Sequence, residues 1–158
     1  MKEYLNKWME EVKAEIQTNL ESTGTNASGK TSKSLRIEET AMGARILGRK
    51  AFGTVEVGRK AGKIPLSMNK IIRQWIIDKG ITWNEMAYVR QPSVNWQPKY
   101  TPSERGLRAL AGAISHTIME KGTELFREGG RKDIYTNVIK NKLPILKKNI
   151  KFTITKQL

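Results

Sequence analysis

The sequence predicts an α+β fold in which a small antiparallel β-meander packs against an N-terminal helix and two or three further helices. Three observations predict it: an amphipathic helical pattern at the N-terminus, short alternating segments separated by glycines, and later apolar patterns of helical period. The chain has 158 residues, which is long enough to bury a core of its own. We therefore expect a single domain over residues 1–158.

The first helix is predicted by apolar residues that recur every four positions and are followed by a polar segment. Tyr4, Trp8, Val12, Ile16 and Leu20 form this stripe, and acidic and basic residues fill the opposite face. Residues 23–33 are rich in Gly, Ser and Thr, a composition typical of turns and loops. We expect this segment to be a flexible loop.

Short alternating segments predict the strands of the meander. Glycines in the connections permit tight turns, and connections this short favour antiparallel neighbours over crossover helices. The segment Ile150–Thr155 alternates in the same way, so residues 150–158 are expected to be a tail or a C-terminal strand that can pair with the meander. The three predicted strands of the meander are Ser34–Glu39, Ala44–Arg49 and Thr54–Gly58.

Three later helices are predicted from caps and apolar periodicity. Ser67 is expected to cap a helix whose buried stripe is Ile71, Ile72, Trp75 and Ile76. Ser103 is expected to cap the next helix, and Asp133 a short one limited by Pro144. Residues 84–102 hold three prolines and no sustained period, so they are predicted to form a long loop, a feature that is often functional.

The net charge of +14 is concentrated in two stretches of the chain. Residues 45–73 carry eight basic residues against one acidic residue, and residues 127–156 carry nine against two, so each contributes +7. Such regions suit contact with nucleic acid or an acidic protein, although a solubilising surface is the alternative. The candidate contacts with DNA or neighbouring subunits are Arg45, Arg49, Lys50, Arg59, Lys60, Lys63, Arg131, Lys132, Lys147 and Lys148.

The long loop and its flanks carry four aromatic residues that are candidates for an interface. Aromatic side chains in an irregular segment pack on the same chain, on a partner or on nucleic-acid bases. Trp8 and Trp75 lie on predicted core faces and are assigned to the core instead. The candidate interface aromatics are Trp83, Tyr88, Trp96 and Tyr100.

Residues Gly24 to Thr31 match the phosphate-loop pattern G-x-x-x-x-G-K-T at every fixed position. The motif binds a nucleotide where a buried strand enters the loop and a helix leaves it, so that amides at the helix N-terminus cradle the phosphates. Here an amphipathic helix is predicted to enter, and Leu35-Arg36-Ile37 is predicted to leave as a strand. We therefore expect no nucleotide site in this loop.

No set of residues in the sequence predicts catalysis, a metal site or a cofactor. The single histidine, His116, is expected on a helix surface, and the adjacent Glu38 and Glu39 would point to opposite faces of a strand. Glu56, isolated among basic residues, is expected to form an ion pair with Arg45 or Arg59. The chain has no cysteine, no secretory signal and no apolar run near the ~20 residues of a membrane span.

The order of these features resembles that of tailed-phage tail-completion and head–tail joining proteins, the neck or connector-ring family. The resemblance rests on Ala27-Ser28-Gly29-Lys30-Thr31 before a meander, on the run Thr54-Val55-Glu56-Val57-Gly58-Arg59-Lys60-Ala61-Gly62-Lys63-Ile64-Pro65, and on a helix bearing Trp75. A last helix ends with Ile118-Met119-Glu120-Lys121-Gly122-Thr123. The resemblance covers residues 1–140, and residues 84–102 have no counterpart in the family pattern.

This resemblance implies a non-enzymatic virion protein, made in the host cytoplasm, that forms a ring at the head–tail interface around the DNA channel. Its partners would be further copies of itself, neighbouring portal, connector or tail proteins, and double-stranded DNA in the channel. Residues 84–102 would then be an insertion that contacts neighbouring rings. The alternatives are a stand-alone basic nucleic-acid-binding protein and, less favoured for want of clustered carboxylates or histidines, an enzyme such as a nuclease.

Overall fold

The computed structural model describes residues 2–40, 43–88 and 98–155 and confirms the α+β class. Contacts within the chain define two compact units: unit 1 comprises Met1–Gly58 and Glu124–Leu158, and unit 2 comprises Arg59–Thr123. The described helices are α1 (Lys2–Ser22), α2 (Lys30–Lys33), α3 (Met68–Asp78), α4 (Pro102–Lys121), α5 (Glu124–Arg127) and α6 (Thr136–Thr155), and the strands are β1 (Arg36–Thr40) and β2 (Gly43–Leu47).

The core of unit 1 is built on the predicted apolar face of α1. Val12, Ile16 and Leu20 are almost fully buried because their spacing of four residues places them on one side of the helix. They pack in one cluster with Leu35, before β1, and with side chains from the start of α6. Each such aliphatic side chain contributes about 1.5–3 kcal/mol on burial. The periodicity of α1 therefore fixes where the sheet and α6 pack.

The sheet of unit 1 has two strands, so the third predicted strand is wrong. β1 and β2 are antiparallel, with Glu38 opposite Arg45 in the register. Lys50–Thr54 forms a 3₁₀ helix, and Val55 to Val57 continue as a turn. The alternation of Thr54–Gly58 suits a strand, but Glu56 points into the interior to hold the start of α6. This tertiary contact overrides the local preference.

The predicted C-terminal strand is also wrong over the described residues, because α6 continues to Thr155. Pro144 lies inside α6 and does not end it, although it removes one backbone donor. A helix that is capped and packed at its N-terminus extends at low cost, since nucleation is the expensive step. The β-branched residues near the C-terminus therefore join a helix that is already formed. Residues 156–158 lie outside the described part of the chain.

Unit 2 is built on the antiparallel pair α3 and α4. Before α3, the Gly62 amide donates to the carbonyl of Met119 near the end of α4, at 2.8 Å. After α3, Trp83 Nε1 donates to the carbonyl of Ser103 near the start of α4, at 3.0 Å. The core between these two contacts contains Met68, Ile72 and Ile76 of α3 and Ala111 of α4.

The N-terminus of α4 differs by two residues from its prediction. Thr101, not Ser103, is the N-cap: its side chain accepts from the Glu104 amide at 3.2 Å. The Glu104 carboxylate accepts in return from the Thr101 amide at 3.0 Å, which completes a capping box. Thr101 is the N-cap because Glu104 lies three residues after it and Pro102 suits the first helical position.

The buried stripe of α3 is narrower than the sequence suggests. Ile72 and Ile76 are buried as predicted, whereas Ile71 is 53% exposed and Trp75 is 40% exposed. Residues 71 and 75 are one turn apart and share a face that unit 2 does not cover. The assignment of Trp75 to the core is therefore wrong. The four apolar residues span too wide an arc for one partner helix to bury.

Candidate functional site

Glu56 is the most constrained polar residue in unit 1. Its side chain is 2% exposed, and Oε1 accepts from the amides of Ile134, Tyr135 and Thr136 at 2.9, 2.6 and 2.9 Å. Oε2 accepts a further hydrogen bond from the Thr136 hydroxyl. The free amides at a helix N-terminus carry partial positive charge and favour an anion. Glu56 therefore caps α6 from 78 residues away in sequence.

The expected ion pair of Glu56 with Arg45 or Arg59 is wrong, because the carboxylate turns inward to backbone amides. The Glu56 carbonyl accepts from the Arg131 amide at 2.8 Å, so both the main chain and the side chain of Glu56 are hydrogen-bonded to residues 131–136. Gly130 fits there because it has a φ of 80°, and a Cβ at this position would lie 2.7 Å from the Glu56 carbonyl oxygen. A single acidic residue in an otherwise basic stretch was the only sequence signal of this role.

Arg131, a candidate contact residue, is occupied by a neighbour. Its guanidinium donates two hydrogen bonds to the Asp133 carboxylate, at 2.6 and 2.5 Å. These bonds raise the pKa of Arg131 above its usual value and lower the pKa of Asp133. Asp133 was predicted to cap the last helix, but Glu56 takes that place. Arg131 is therefore less available to a partner than the sequence suggests.

Arg45 is also paired, across the two-stranded sheet. Its Nη2 lies 3.0 Å from Glu38 Oε1, and both side chains are exposed. The hydrogen bond from Arg45, followed by its charge, lowers the pKa of Glu38 below the usual value. Surface pairs of this kind contribute little to stability, so Arg45 can exchange Glu38 for another anion at small cost.

Seven other candidate residues are basic side chains that each unit leaves available to a partner. All are exposed, and none lies within ion-pairing distance of a carboxylate in the part of the chain that the structure describes. Unpaired exposed cations attract polyanions and acidic proteins at long range. The residues are Arg49, Lys50, Lys132, Lys147 and Lys148 in unit 1, and Lys60 and Lys63 in unit 2.

Arg59 is half-buried, and its hydrogen bonds are made within unit 2. Its amide donates to Thr123 Oγ1 at 2.8 Å, and its carbonyl accepts from the Thr123 amide at 2.9 Å. Its guanidinium donates to the carbonyl of Lys63 at 3.0 Å, which folds the basic loop back on itself. Arg59 therefore holds the loop that presents Lys60 and Lys63.

The candidate aromatics fall into different environments. Trp83 is half-buried against the core of unit 2 and donates to Ser103, so it anchors the chain after α3. Tyr88 is 43% exposed, and the Arg105 guanidinium lies 4.3 Å from its ring centroid. Tyr100 is half-buried under the guanidinium of Arg108, at 3.7 Å. Trp96 and the rest of residues 89–97 lie outside the described residues.

Both described ends of the long loop therefore meet the first turns of α4. Arg105 also donates to the carbonyls of Met86 and Ala87, at 3.3 and 3.1 Å. Gly106 lets the chain approach, because a Cβ there would lie 1.9 Å from the carbonyl oxygen of Asn84. The sequence identified the aromatic residues of this loop as candidates, but it gave no sign that Tyr88 stacks on Arg105 and Tyr100 on Arg108.

The phosphate-loop segment is entered by α1, as expected, and not by a buried strand. Gly29, with a φ of 69°, precedes the single helical turn of α2 (Lys30–Lys33). The expectation that a strand leaves the segment directly and that residues 23–33 are a loop throughout is therefore wrong, because this turn comes first and β1 begins only at Arg36. The Ser32 amide faces Asn26 Oδ1 at 3.4 Å, and Thr23 Oγ1 donates to the Asn19 carbonyl at 2.6 Å. Side chains of this segment thus bind its own backbone groups.

Other chemistry-bearing groups of the described residues are dispersed. His116 is exposed on α4, with Nδ1 3.4 Å from Glu120 Oε2. No group of three or more His, Asp or Glu side chains converges as a metal site within residues 2–40, 43–88 and 98–155. Within the same ranges, no helix has the length and apolarity needed to cross a bilayer.

Comparison of the chain with protein-family models, with curated proteins and with solved structures found no match.

Proposed function

We propose that this protein is a non-enzymatic structural subunit of a tailed-phage virion, which assembles into a ring at the head–tail interface around the DNA channel. The order of its sequence features supports this proposal, as does the apolar surface that each unit leaves open. Its partners are further copies of itself, neighbouring portal, connector or tail proteins, and double-stranded DNA in the channel.

The observation that carries the proposal is the combination of exposed apolar side chains with unpaired lysines on α6. Ile139 is 40% exposed and Leu143 is 36% exposed, one turn apart on the helix. Lys147 follows one turn after Leu143 and is exposed without a carboxylate partner among the described residues. An apolar centre beside charged groups is typical of subunit interfaces.

Unit 2 repeats this combination on α3. Ile71 and Trp75 present an uncovered apolar face, and the exposed Lys70 precedes Ile71 in the chain. Leu66, just before this helix, is fully exposed. A heterologous ring requires two different contact surfaces on every subunit, and each unit of this chain supplies one uncovered apolar surface.

The test is whether the purified protein forms rings through these surfaces. We expect closed rings by negative-stain microscopy and a concentration-dependent oligomer by sedimentation velocity. Ile139→Ser with Leu143→Ser should shift the protein to monomers that remain folded by circular dichroism. The matched control, Asn137→Ser with Asn141→Ser, changes exposed polar residues of the same helix and should leave the rings intact. A wild-type chain that stays monomeric up to its solubility limit contradicts the proposal.

The second candidate function is a stand-alone nucleic-acid-binding protein, which the seven unpaired basic residues favour. It predicts monomers that bind duplex DNA with an affinity falling steeply with salt, by a log–log slope of about 0.9 per phosphate contacted. Binding without any ring formation would favour this function over the first. Absence of binding at low salt would exclude it.

A further inference from the structure

Two arginines on the neighbouring helices α3 and α4 of unit 2 have no counter-charge among the described carboxylates. Arg73 lies on α3 and Arg108 on α4, and each has a buried Nε atom that finds no hydrogen-bond partner among the described residues. A buried donor without a partner is destabilising, so such groups call for an explanation. A bound ligand that accepts hydrogen bonds is one explanation for these two unpaired donors.

The packing of the two helices places these arginines about one helical turn apart along the line where α3 meets α4. Asn69, one turn before Arg73, directs Nδ2 to the carbonyl of Arg108, at 3.4 Å. Helical side chains lean toward the N-terminus of their own helix. Because α3 and α4 are antiparallel, Arg73 and Arg108 lean in opposite directions, toward each other along the seam.

No carboxylate neutralises this pair in the described residues. Glu104 is the nearest acidic residue before Arg108 on α4, but its carboxylate accepts from the Thr101 amide and hydroxyl, at 3.0 and 3.3 Å. Asp78, at the end of α3, accepts from Gln74 at 2.9 Å. Neither arginine forms an ion pair with these groups or with any other described carboxylate.

Tyr100 determines how Arg108 can meet a ligand. Its ring covers one face of the guanidinium at 3.7 Å, so the planar edge, with its N–H donors, is the part left for an acceptor. A guanidinium edge matches the oxygens of a phosphate in a bidentate geometry. Two guanidinium edges that converge without a counter-charge suit a tetrahedral oxyanion.

We infer that Arg73, Arg108 and Tyr100 form a phosphate-binding site on unit 2 that holds the backbone of double-stranded DNA. The choice of DNA as the source of the phosphate rests on the proposed function, in which the protein surrounds a DNA channel. The site is separate from the exposed lysines described above. It adds a geometrically defined contact to a diffuse basic surface.

The first experiment measures binding of a short fluorescein-labelled DNA duplex by anisotropy across a range of salt concentrations. Arg73→Gln with Arg108→Gln should weaken binding about tenfold or more, as expected for loss of charge-assisted contacts. The log–log salt slope should fall by about 0.9 for one phosphate. Lys79→Gln with Lys121→Gln removes the same charge from exposed positions at the C-terminal ends of the same two helices and should leave the slope unchanged.

An equal loss in both double variants would mean that only net charge matters, and it would overturn the site. Arg73→Lys with Arg108→Lys keeps the net charge but not the planar donor edge, so it should bind more weakly than the wild type. Wild-type affinity in this variant would overturn the assignment of the guanidinium edges. Circular dichroism of every variant establishes whether it is folded.

A second measurement uses the wild-type chain and so does not depend on variant folding. Inorganic phosphate, titrated against chloride at equal ionic strength, should shift the NMR signals of the Arg73 and Arg108 Nε–Hε groups. The DNA duplex should shift the same two signals. No shift with either probe overturns the site, and a shift with phosphate alone overturns the choice of DNA.

Ring formation by the same samples separates this inference from the proposed function. Rings that form without an effect of DNA on the two arginine signals would support the ring and contradict the site. Monomers whose arginine signals respond to the duplex would support the phosphate site while contradicting the ring.

Discussion

Replacing Glu56 by alanine removes the acceptor for three backbone amides and one hydroxyl at the start of α6. The groups left without an acceptor are the backbone amides of Ile134, Tyr135 and Thr136 and the Thr136 hydroxyl, and Ile134 is fully buried. The substitution also deletes most of a buried side chain. Unit 1 should therefore lose stability, while unit 2 keeps its own core.

The size of this loss follows from the number of contacts and from what can replace them. Hydrogen bonds to a charged group contribute about 1.5–3 kcal/mol each, but water can reach amides at a helix end that opens slightly. Loss of the whole network should cost about 3–5 kcal/mol, in the range of other buried networks. Glu56→Gln retains the shape and one carbonyl acceptor but loses the charge at the helix N-terminus, for about 1–2 kcal/mol.

The assay combines urea unfolding with amide hydrogen exchange, because the two units need not unfold together. The amides of residues 134–136 should lose protection in Glu56→Ala, whereas the Ile76 amide in unit 2 should not. Glu128→Ala changes an exposed glutamate close to the same segment and serves as the matched control, with an expected change within ±0.5 kcal/mol. A loss below about 1 kcal/mol in Glu56→Ala, or equal protection at residues 134–136, would refute the capping role.

Two further predictions concern one residue in each unit. Gly106→Ala should destabilise unit 2 by about 1–3 kcal/mol in urea unfolding, because the new Cβ would lie 1.9 Å from the Asn84 carbonyl oxygen. Helix propensity alone predicts that a glycine-to-alanine change in α4 raises the free energy of unfolding by about 1 kcal/mol, and the control Gly112→Ala should show this gain. A gain in Gly106→Ala as well would contradict the close approach of Asn84 to Gly106. Burial, and then the charge of Glu56, raise the pKa of Tyr135 above 10.0, so its contribution to stability is full below pH 10 and is lost as pH rises through the folded-state pKa. Tyr135→Phe should flatten the decline of unfolding free energy above pH 10, and an unchanged decline would show that this phenol does not cause it.

The features that the sequence predicts correctly depend on neighbours along the chain. The stripe of α1 holds because Val12, Ile16 and Leu20 repeat at the period of a helix, and that period alone determines a buried face. The pairing of β1 with β2 follows from two short alternating segments and a connection too short for a crossover. These elements account for the α+β class.

The features that the sequence does not predict depend on groups far apart in the chain. Glu56 meets Ile134 across 78 positions, and no local pattern distinguishes a carboxylate that caps a helix from one that pairs with an arginine. That single contact changes the third strand into a turn and displaces Asp133 as the cap. The contact of Asn69 in α3 with the Arg108 carbonyl in α4 is equally absent from local patterns, because it exists only once the two helices lie antiparallel.

The contact between Arg59 and Thr123 also bears on the order in which the chain folds. During synthesis, residues 59–123 emerge before α6, so unit 2 can fold while the first half of unit 1 still lacks its last helix. Bringing Glu56 to Ile134 by closing a free loop of that length costs about 4 kcal/mol in chain entropy. Once Arg59 and Thr123 are hydrogen-bonded, only three and 11 positions separate them from Glu56 and Ile134, and the cost falls to about 2 kcal/mol. Folding of unit 2 thereby acts like a cross-link, because it lowers the entropic cost of bringing Glu56 to the start of α6.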